Sequence, residues 1–240
     1  PAYDQSSDQE VAFQAVDYIL RVLKKNMVFG MTWGRAMHEF VEQLAKDERL
    51  RSLSFQNVKV VPFLGTPGAI QSDSWNTTTY SNTLATKVGN LLHCASYNLS
   101  APMYVEGTKE KELIESIDEI AKVLHMAETA DIALIGIGSM QDDSSIIKAE
   151  IRTKEEYKEL VRKGAVGEIV GRIYDKNGQT VDEYLKRKMV GISLDKIAKI
   201  PVRVGMSYGK DKIEAIKGAI AGGLVNVLVT DVPTAELLLK

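Results

Sequence analysis

Short apolar runs rich in β-branched residues alternate along this chain with segments in which apolar residues recur at helical spacing. The alternation restricts the fold more than any other feature, because strand, helix and strand form the repeating unit of parallel sheets. Strands are predicted over residues 27–32, 58–64, 102–105, 131–137, 202–206 and 225–229. Helices are predicted over residues 11–23, 36–44, 84–92, 113–126, 154–162, 193–199, 210–221 and from 233. We therefore predict one α/β domain over residues 1–240, with a mostly parallel, helix-flanked sheet and a small excursion near residues 140–195.

Composition excludes several classes of function. With 45% hydrophobic residues among 240, the chain can bury a full core. Its formal net charge of −2 lacks the basic excess that is usual for nucleic-acid-binding domains. One cysteine excludes an intramolecular disulfide or a multi-cysteine metal site, and no apolar run is long enough for a membrane span. We expect a cytoplasmic protein without cofactor or metal and, because the chain begins Pro-Ala-Tyr, a piece of a longer protein.

The first predicted strand ends in Thr32-Trp33-Gly34-Arg35, directly before a helix. In open parallel sheets, ligands bind beyond the carboxyl ends of the strands. Backbone N–H groups at a helix start and the positive end of the helix dipole favour an anion there, to which Arg35 can add a bidentate contact. The alternative is a tight turn in which Trp33 packs into the core without a ligand.

Three further strand ends carry polar or glycine-rich segments. Residues 65–79 form an unusually long polar loop, which is either a lid over a ligand or a surface loop. The glycines of segment 136–139 allow a ligand to approach closely, but neither a dinucleotide fingerprint nor a Walker phosphate loop is present. Lys210 and Lys212 begin a helix, where the dipole disfavours cations unless an anion binds; the alternative is two solvated lysines.

Glu168 lies in an otherwise apolar, glycine-rich stretch, residues 164–169. Its carboxylate either faces solvent from an edge strand or accepts hydrogen bonds from a sugar hydroxyl. The three histidines, His38, His93 and His125, show no Ser/His/Asp arrangement, and we expect structural roles for them. From the residues alone, this is an anion-binding α/β domain without an evident catalytic group.

Several motifs occur together in an order that is typical of one family. They are Met31-Thr32-Trp33-Gly34-Arg35, Val60-Val61-Pro62 with Gly65 and Gly68, and the segments 130–138, 163–169, 200–216 and 226–231 with Thr234-Ala235. Over about residues 8–240 the chain resembles the C-terminal sugar-binding (effector) domain of the SorC family of bacterial transcription regulators. Its closing third is most similar to members that respond to phosphorylated autoinducer-2.

The resemblance implies a Rossmann-like fold, related to sugar-phosphate isomerases, in a sensor that is not an enzyme. Family members join an N-terminal helix-turn-helix to this domain, assemble as dimers or tetramers, and bind phosphorylated sugars or sugar-like signals. The helix-turn-helix is absent from this chain, so we expect contact with operator DNA only through that missing domain, and none with a membrane. Effector binding is then expected to rearrange the oligomer and to change its affinity for DNA.

The family's site residues carry over position by position. The phosphate of the effector is expected on the helix start formed by Trp33, Gly34, Arg35 and Ala36. The sugar part is expected on Gly65, Tyr80, Asn82, Lys148, Glu168 and Lys212. Some relatives have, at the position of Leu64, a lysine that forms a Schiff base with the effector. Leucine cannot form that bond, so a covalent effector is not expected.

Three large side chains distinguish the predicted site from that of many relatives. Trp33 and Arg35 stand where small or hydroxyl residues are frequent, and Tyr208 replaces one of two glycines before Lys212. These side chains either shape the pocket around a sugar or fill it, which would leave a dimerisation domain without a ligand. A third alternative is a sugar-phosphate isomerase or deaminase with Glu168 as general base, although no carboxylate–histidine pair is evident.

Overall fold

The arrangement of strands and helices is seen in a computed structural model, which describes residues 5–67, 77–142, 144–148 and 151–240. Within these residues the strands are β1 (Val28–Met31), β2 (Lys59–Pro62), β3 (Ala95–Ser96), β4 (Ile132–Gly136), β5 (Gly138–Ser139), β6 (Ala165–Ile169), β7 (Arg172–Asp175), β8 (Val202–Met206) and β9 (Val227–Val229). The helices are α1 (Gln5–Val22), α2 (Arg35–Leu44), α3 (Ser81–Leu91), α4 (Thr108–Glu115), α5 (Asp118–Glu128), α6 (Ser145–Lys148), α7 (Lys154–Arg162), α8 (Glu183–Lys188), α9 (Leu194–Ile197), α10 (Ile213–Ala221) and α11 (Val232–Leu238). Short 3₁₀ turns are formed by Glu48–Arg51, Thr77–Thr79 and Lys210–Lys212.

Strands β3, β2, β1, β4, β8 and β9 lie side by side in this order and form the main sheet. Its neighbouring strands are parallel. Numbered within this sheet alone, the order is 3-2-1-4-5-6, which is that of Rossmann folds. The strand order reverses between β1 and β4, where Met31 pairs with Leu134. The predicted α/β class with a Rossmann-like parallel sheet is therefore confirmed, and a ligand crevice is expected at the carboxyl ends of β1 and β4.

Strands β5, β6 and β7 form an antiparallel small sheet, which accounts for the predicted excursion. It begins at the carboxyl end of β4, because Ile137 alone separates β4 from β5. The β6–β7 hairpin turns at Val170 and Gly171, whose φ values of 55° and 68° are both positive, as a two-residue type I′ turn requires. The left-handed conformation costs a valine about 1–2 kcal/mol, so other contacts must hold this turn.

Both faces of the main sheet are buried. Along β4, Ile132 and Leu134 belong to one apolar cluster, whereas Ala133 and Ile135 belong to another. The first cluster includes α1, α2 and α3, and the second includes the small sheet, α7 and α10. Burial on both faces explains why these strands are continuous apolar runs in the sequence. On α2, the apolar residues that recur at helical spacing are buried: Met37, Phe40, Val41 and Leu44.

The single helix predicted over residues 113–126 is wrong. The chain forms α4 and α5 instead, because the Ser116 hydroxyl donates to the Leu113 carbonyl (2.7 Å) where α4 ends. Leu113 and Ile117, at the end of α4 and just before α5, are 69% and 49% exposed.

The strand predicted over residues 102–105 is also wrong. Pro102 and Tyr104 form isolated bridges with Thr66 and Met189 rather than joining a sheet. The strand at the edge of the main sheet beside β2 is β3, which has two residues. Two residues cannot show an alternating pattern, and β3 was therefore missed.

Candidate functional site

Thr32, which is buried and which we did not predict as a site residue, joins the carboxyl ends of β1 and β4. Its N–H donates to the Leu134 carbonyl (3.1 Å), and its Oγ1 accepts from the Gly136 N–H (3.0 Å). Beside it, the Met31 carbonyl accepts from the Ser81 hydroxyl (3.0 Å) at the start of α3. The floor of the crevice is thus tied to β4 and to α3. The sequence signal for Thr32 was a hydroxyl residue directly after a buried strand.

The turn from β1 into α2 leaves open space at Gly34. Gly34 is the N-cap residue of α2, with φ 104° and ψ 177°, a conformation that is essentially restricted to glycine. Its N–H donates to the Thr79 carbonyl (2.9 Å), and its own carbonyl accepts from the His38 N–H (3.0 Å). Among the described atoms, none lies within 4 Å of a Cβ built at Gly34, and the first turn of α2 has no acidic residue. Helix starts of this kind can bind anions, and the assignment of this one to the phosphate of an effector stays a prediction.

Gly34→Ala is expected to lower the free energy of unfolding by about 1–3 kcal/mol, because alanine must adopt a glycine conformation. The methyl group would occupy the open face of the turn, so stabilisation by a phosphorylated ligand should disappear. Urea unfolding with and without ligand measures both effects. Equal stabilisation of the variant and the wild type by a ligand would contradict an anion site at this turn.

Glu168 is 6% exposed, so the alternative of a solvent-facing carboxylate is wrong. Its Oε1 accepts from the Gly171 N–H in the hairpin turn, and the indole N–H of Trp33 donates to the same carboxylate. Burial raises the pKa of Glu168 to about 7, because the loss of water outweighs these two hydrogen bonds and the charge of Lys212. Gly138 makes room for this carboxylate, since a Cβ there would lie 2.8 Å from Glu168 Oε2.

Lys212 reaches the same part of the crevice from the segment after β8. The N–H of Gly209 donates to Thr234 Oγ1 (2.8 Å), and the N–H of Lys212 donates to the Gly209 carbonyl (2.9 Å). These bonds fix the turn that carries Lys212. Burial raises the pKa of Glu168, whereas the positive charge of Lys212 lowers it. The ammonium group of Lys212 therefore interacts with the Glu168 carboxylate. Lys210 is exposed, as the solvated-lysine alternative predicts for that residue.

Lys212→Ala is expected to weaken the binding of a phosphorylated sugar by about 1–3 kcal/mol, because a charged hydrogen-bond donor is lost. Lys210→Ala is the matched control: it removes an exposed lysine from the same turn and should leave the affinity unchanged. Calorimetric titration of both variants measures the difference. Wild-type affinity in Lys212→Ala would remove Lys212 from the site.

Asn82 and Gly65 are held by contacts within the protein. Asn82 Nδ2 donates to Thr66 Oγ1 (2.7 Å) and to the Leu99 carbonyl (3.0 Å), and its Oδ1 accepts from the Leu99 N–H (2.9 Å). A Cβ at Gly65 would lie 2.6 Å from the Ala101 carbonyl oxygen. Asn82 thus holds neighbouring loops together, and Gly65 allows the backbone at Ala101 to approach closely. The assignment of both residues as effector contacts stays a prediction.

The other two predicted sugar contacts, Tyr80 and Lys148, lie on separate elements. Tyr80 precedes α3, and burial raises the pKa of its hydroxyl. Lys148 is exposed at the end of α6. Their roles also stay predictions. Leu64 is fully buried.

Of the predicted lid, residues 65–79, the structure describes residues 65–67 and 77–79. Residues 68–76 lie outside the described residues. The end of the loop, Thr77–Thr79, forms a 3₁₀ turn, and the Thr79 carbonyl accepts from the Gly34 N–H (2.9 Å). This end of the loop is therefore bonded to the turn predicted to bind phosphate.

Two cavities lie elsewhere. One of about 450 Å³ is lined by α4, α8 and Arg172, and one of about 740 Å³ is lined by α5 and the segment 97–100. As far as the structure describes them, neither lining includes a residue predicted to contact the effector. Arg172 is buried and donates to the carbonyls of Leu185 (3.1 Å), Met189 (3.0 Å) and Gly191 (3.1 Å), which identifies it as a structural residue.

In the described part of the chain, no helix is long and apolar enough to cross a membrane. No group of three or more metal-ligating side chains occurs in the same residues. The histidines lie on separate elements: His38 on α2, His93 after α3 and His125 on α5.

The fold is that of the α/β domains with an open parallel sheet, a class in which ligands bind where the strand order reverses. Residues 2–240 match the family model described as “Putative sugar-binding domain”. The chain therefore belongs to this family of sugar-binding domains, and the resemblance to SorC-family transcription regulators is confirmed.

Two curated relatives are transcription regulators. The chain is 30% identical over 222 residues to the sorbitol operon regulator of Klebsiella pneumoniae, a match that covers 92% of this chain and 67% of that protein. It is 30% identical over 230 residues to the transcriptional regulator LsrR of Escherichia coli K12, covering 94% and 67%. In both cases the match leaves about a third of the longer relative uncovered.

Solved structures of the same class share the fold over the whole chain. The full-length sorbitol operon regulator SorC from Klebsiella pneumoniae superposes with a TM-score of 0.87 at 26% identity, covering 100% of this chain and 75% of that one. The probable sor operon regulator from Shigella flexneri gives 0.86 at 25% identity, covering 100% and 91%. The architecture is thus that of sugar-binding domains in this class of regulator.

Proposed function

We propose that this chain is the effector-binding domain of a transcription regulator and binds a phosphorylated sugar, or a sugar-like phosphate, without converting it. Its family is one of sugar-binding domains, and its relatives are named as regulators. One observation carries the choice of a phosphorylated ligand. The open helix start at Gly34 adjoins Trp33, which is hydrogen-bonded to the buried Glu168 beside Lys212. The end of the crevice at Gly34 suits an anion, and the end at Glu168 and Lys212 suits hydroxyl groups.

The phosphate would be bound by the N–H groups at the start of α2, by the helix dipole and by Arg35. At the other end, Glu168 would accept a hydrogen bond from a hydroxyl and Lys212 would donate one. Such a ligand contacts the main sheet and the small sheet together. Its contacts then depend on how the two sheets are arranged, which is the differential interaction that a sensor needs.

The response that we propose is a change of oligomer. This domain would form dimers or tetramers, and ligand binding would shift them between states of different affinity for operator DNA. The match leaves about a third of each of these relatives uncovered. We propose that contact with DNA is made by an N-terminal helix-turn-helix outside this chain, which is consistent with the formal net charge of −2.

A sugar-phosphate isomerase or deaminase is the second candidate, and Glu168 is the observation that favours it. Burial raises the pKa of Glu168 to about 7, which suits a general base at neutral pH. The names of the relatives favour the sensor. Turnover of a sugar phosphate by the purified chain, lost in Glu168→Gln, would establish the enzyme instead.

A thermal-shift panel that pairs each candidate sugar with its phosphate, and includes phosphorylated autoinducer-2, tests the proposal. A ligand at 100 times its Kd adds about 2.7 kcal/mol of stability, which is readily seen as a higher Tm. We expect a phosphorylated member to stabilise the protein, its unphosphorylated partner to have little effect, and neither to be turned over. Equal stabilisation by both partners, or by none of the panel, would contradict a phosphate-binding sensor.

A further inference from the structure

The cavity of about 450 Å³ between α4, α8 and β7 borders a buried positive charge. Arg172 of β7 lines this cavity and is 4% exposed. Its three hydrogen bonds go to main-chain carbonyls, and its Nε, which is also buried, has no partner among the described residues. Within the same residues, no carboxylate accepts a hydrogen bond from Arg172. Because burying a charge is costly unless it is paired, this guanidinium favours an anion beside it.

The least exposed charged side chains of the lining carry a net positive charge. They are Arg172, Lys111 and Glu115. Lys111 Nζ lies 3.7 Å from Glu115 Oε1 and donates to the Lys186 carbonyl (3.3 Å), and the Lys111 side chain is only 18% exposed. Burial lowers the pKa of Arg172 to about 10, so it is still charged at neutral pH. Two cations and one carboxylate thus leave a single positive charge in this part of the cavity.

The rest of the lining indicates which anion fits. Its other charged side chains are exposed, and three of the five are acidic: Glu112, Glu183, Lys186, Arg187 and Asp195. Those acids disfavour a doubly charged phosphate but tolerate a single carboxylate. Thr108, Thr180 and Ser193 add side-chain hydroxyl groups, which can bond to hydroxyls of a ligand. A volume of about 450 Å³ lies within the range of small-molecule sites.

We propose that this cavity is a second ligand site, which binds a small hydroxy acid with its carboxylate between Arg172 and Lys111. As far as the structure describes the lining, it shares no residue with the predicted effector site. Arg172 keeps its bonds to the three carbonyls, and the ligand supplies the countercharge that the protein lacks. The two sites lie on one hairpin, because Arg172 pairs with Ile169 next to Glu168.

Thermal unfolding of the full chain with lactate or glycerate tests the proposal. The uncharged amides of the two acids, and sodium chloride at equal ionic strength, are the controls. We expect at least one of the acids to raise the Tm in a concentration-dependent way, from which its Kd follows. The amides and chloride should not raise it, because they lack the carboxylate.

Lys111→Met is the decisive variant, since Arg172→Met would also remove three structural hydrogen bonds. Methionine keeps the length of the side chain but not the charge, so the affinity for the stabilising acid should fall about tenfold or more. Lys109→Met is the matched control. Lys109 is exposed on the same helix and is not among the residues that line the cavity, so this variant should bind as the wild type does.

The result also distinguishes this cavity from the effector site. Lys212→Ala should bind the acid with unchanged affinity, because Lys212 lies outside the cavity lining. A loss of affinity in Lys212→Ala but not in Lys111→Met would place the acid in the effector site and overturn the proposal. No rise in Tm with either acid, or equal affinities of Lys111→Met and the wild type, would also overturn it.

Discussion

Glu168→Gln is expected to raise the free energy of unfolding by about 3 kcal/mol at pH 8 and to change it little at pH 4. Burial raises the pKa of Glu168 from its ordinary 4.5 to about 7, and a difference of this size corresponds to about 3 kcal/mol. Because the folded pKa lies above the unfolded one, the stability due to protonated Glu168 is complete below pH 4.5 and is lost as the pH rises through 7. Glutamine is neutral at every pH, so the variant keeps this stability at pH 8.

Urea unfolding of both proteins at pH 4 and pH 8 measures this effect. Glu236→Gln, an exposed position on α11, is the control and should show no such pH dependence. The Glu168 variant should also lose its affinity for sugar phosphates, because the carboxylate acceptor is gone. It would then be more stable than the wild type but unable to respond. A difference in stability that does not grow with pH would contradict a buried, ionisable Glu168.

Gly65→Ala is expected to lower the free energy of unfolding by about 3 kcal/mol or more. Its Cβ would lie 2.6 Å from the carbonyl oxygen of Ala101 and 2.7 Å from that of Pro102. Overpacking costs about 1–3 kcal/mol, and backbone atoms yield less readily than the end of a side chain. The result would identify Gly65 as a packing residue whether or not it also touches the effector.

Gly136→Ala is the matched control for Gly65→Ala. The atoms nearest to its Cβ, Thr32 Oγ1 and the Trp33 carbonyl oxygen, lie 3.6 Å away, which is an ordinary contact. Chemical unfolding of both variants without ligand should therefore separate them clearly. Similar losses of stability would mean that the close approach at Gly65 is relieved by movement of the 101–102 backbone.

Much of the fold could be predicted from the sequence because buried parallel strands are distinctive apolar runs. The strand predicted over 202–206 is β8, and the helix predicted over 154–162 is α7. What was missed depends on contacts between distant segments. Strand β3 exists because Ala95 and Ser96 pair with Lys59 and Val60 of β2, and two residues carry no periodic signal of their own.

The residues of the candidate site could be proposed from the sequence, but the burial and contacts of their side chains could not. The turn at Asp175–Gly178 has a sequence, Asp-Lys-Asn-Gly, that is typical of hairpin turns, and the Gly178 N–H donates to the Asp175 carbonyl (2.9 Å). The hairpin turn at Val170 was not predicted, because valine rarely adopts positive φ. Without that turn, the sequence could not show whether Glu168 is buried, and its bond from Trp33 joins residues far apart in the chain.

The single residue between β4 and β5 has a consequence for how such a domain can be altered. Gly138 pairs with Glu168 across the small sheet, and Ser139 pairs with Gly167. One residue inserted after Ile137 would shift this register and turn alternate side chains to the opposite face. An insertion at the exposed Lys176–Asn177 turn would leave that register intact. The length of the one-residue connection at Ile137 therefore determines the position of Glu168 relative to the end of β1.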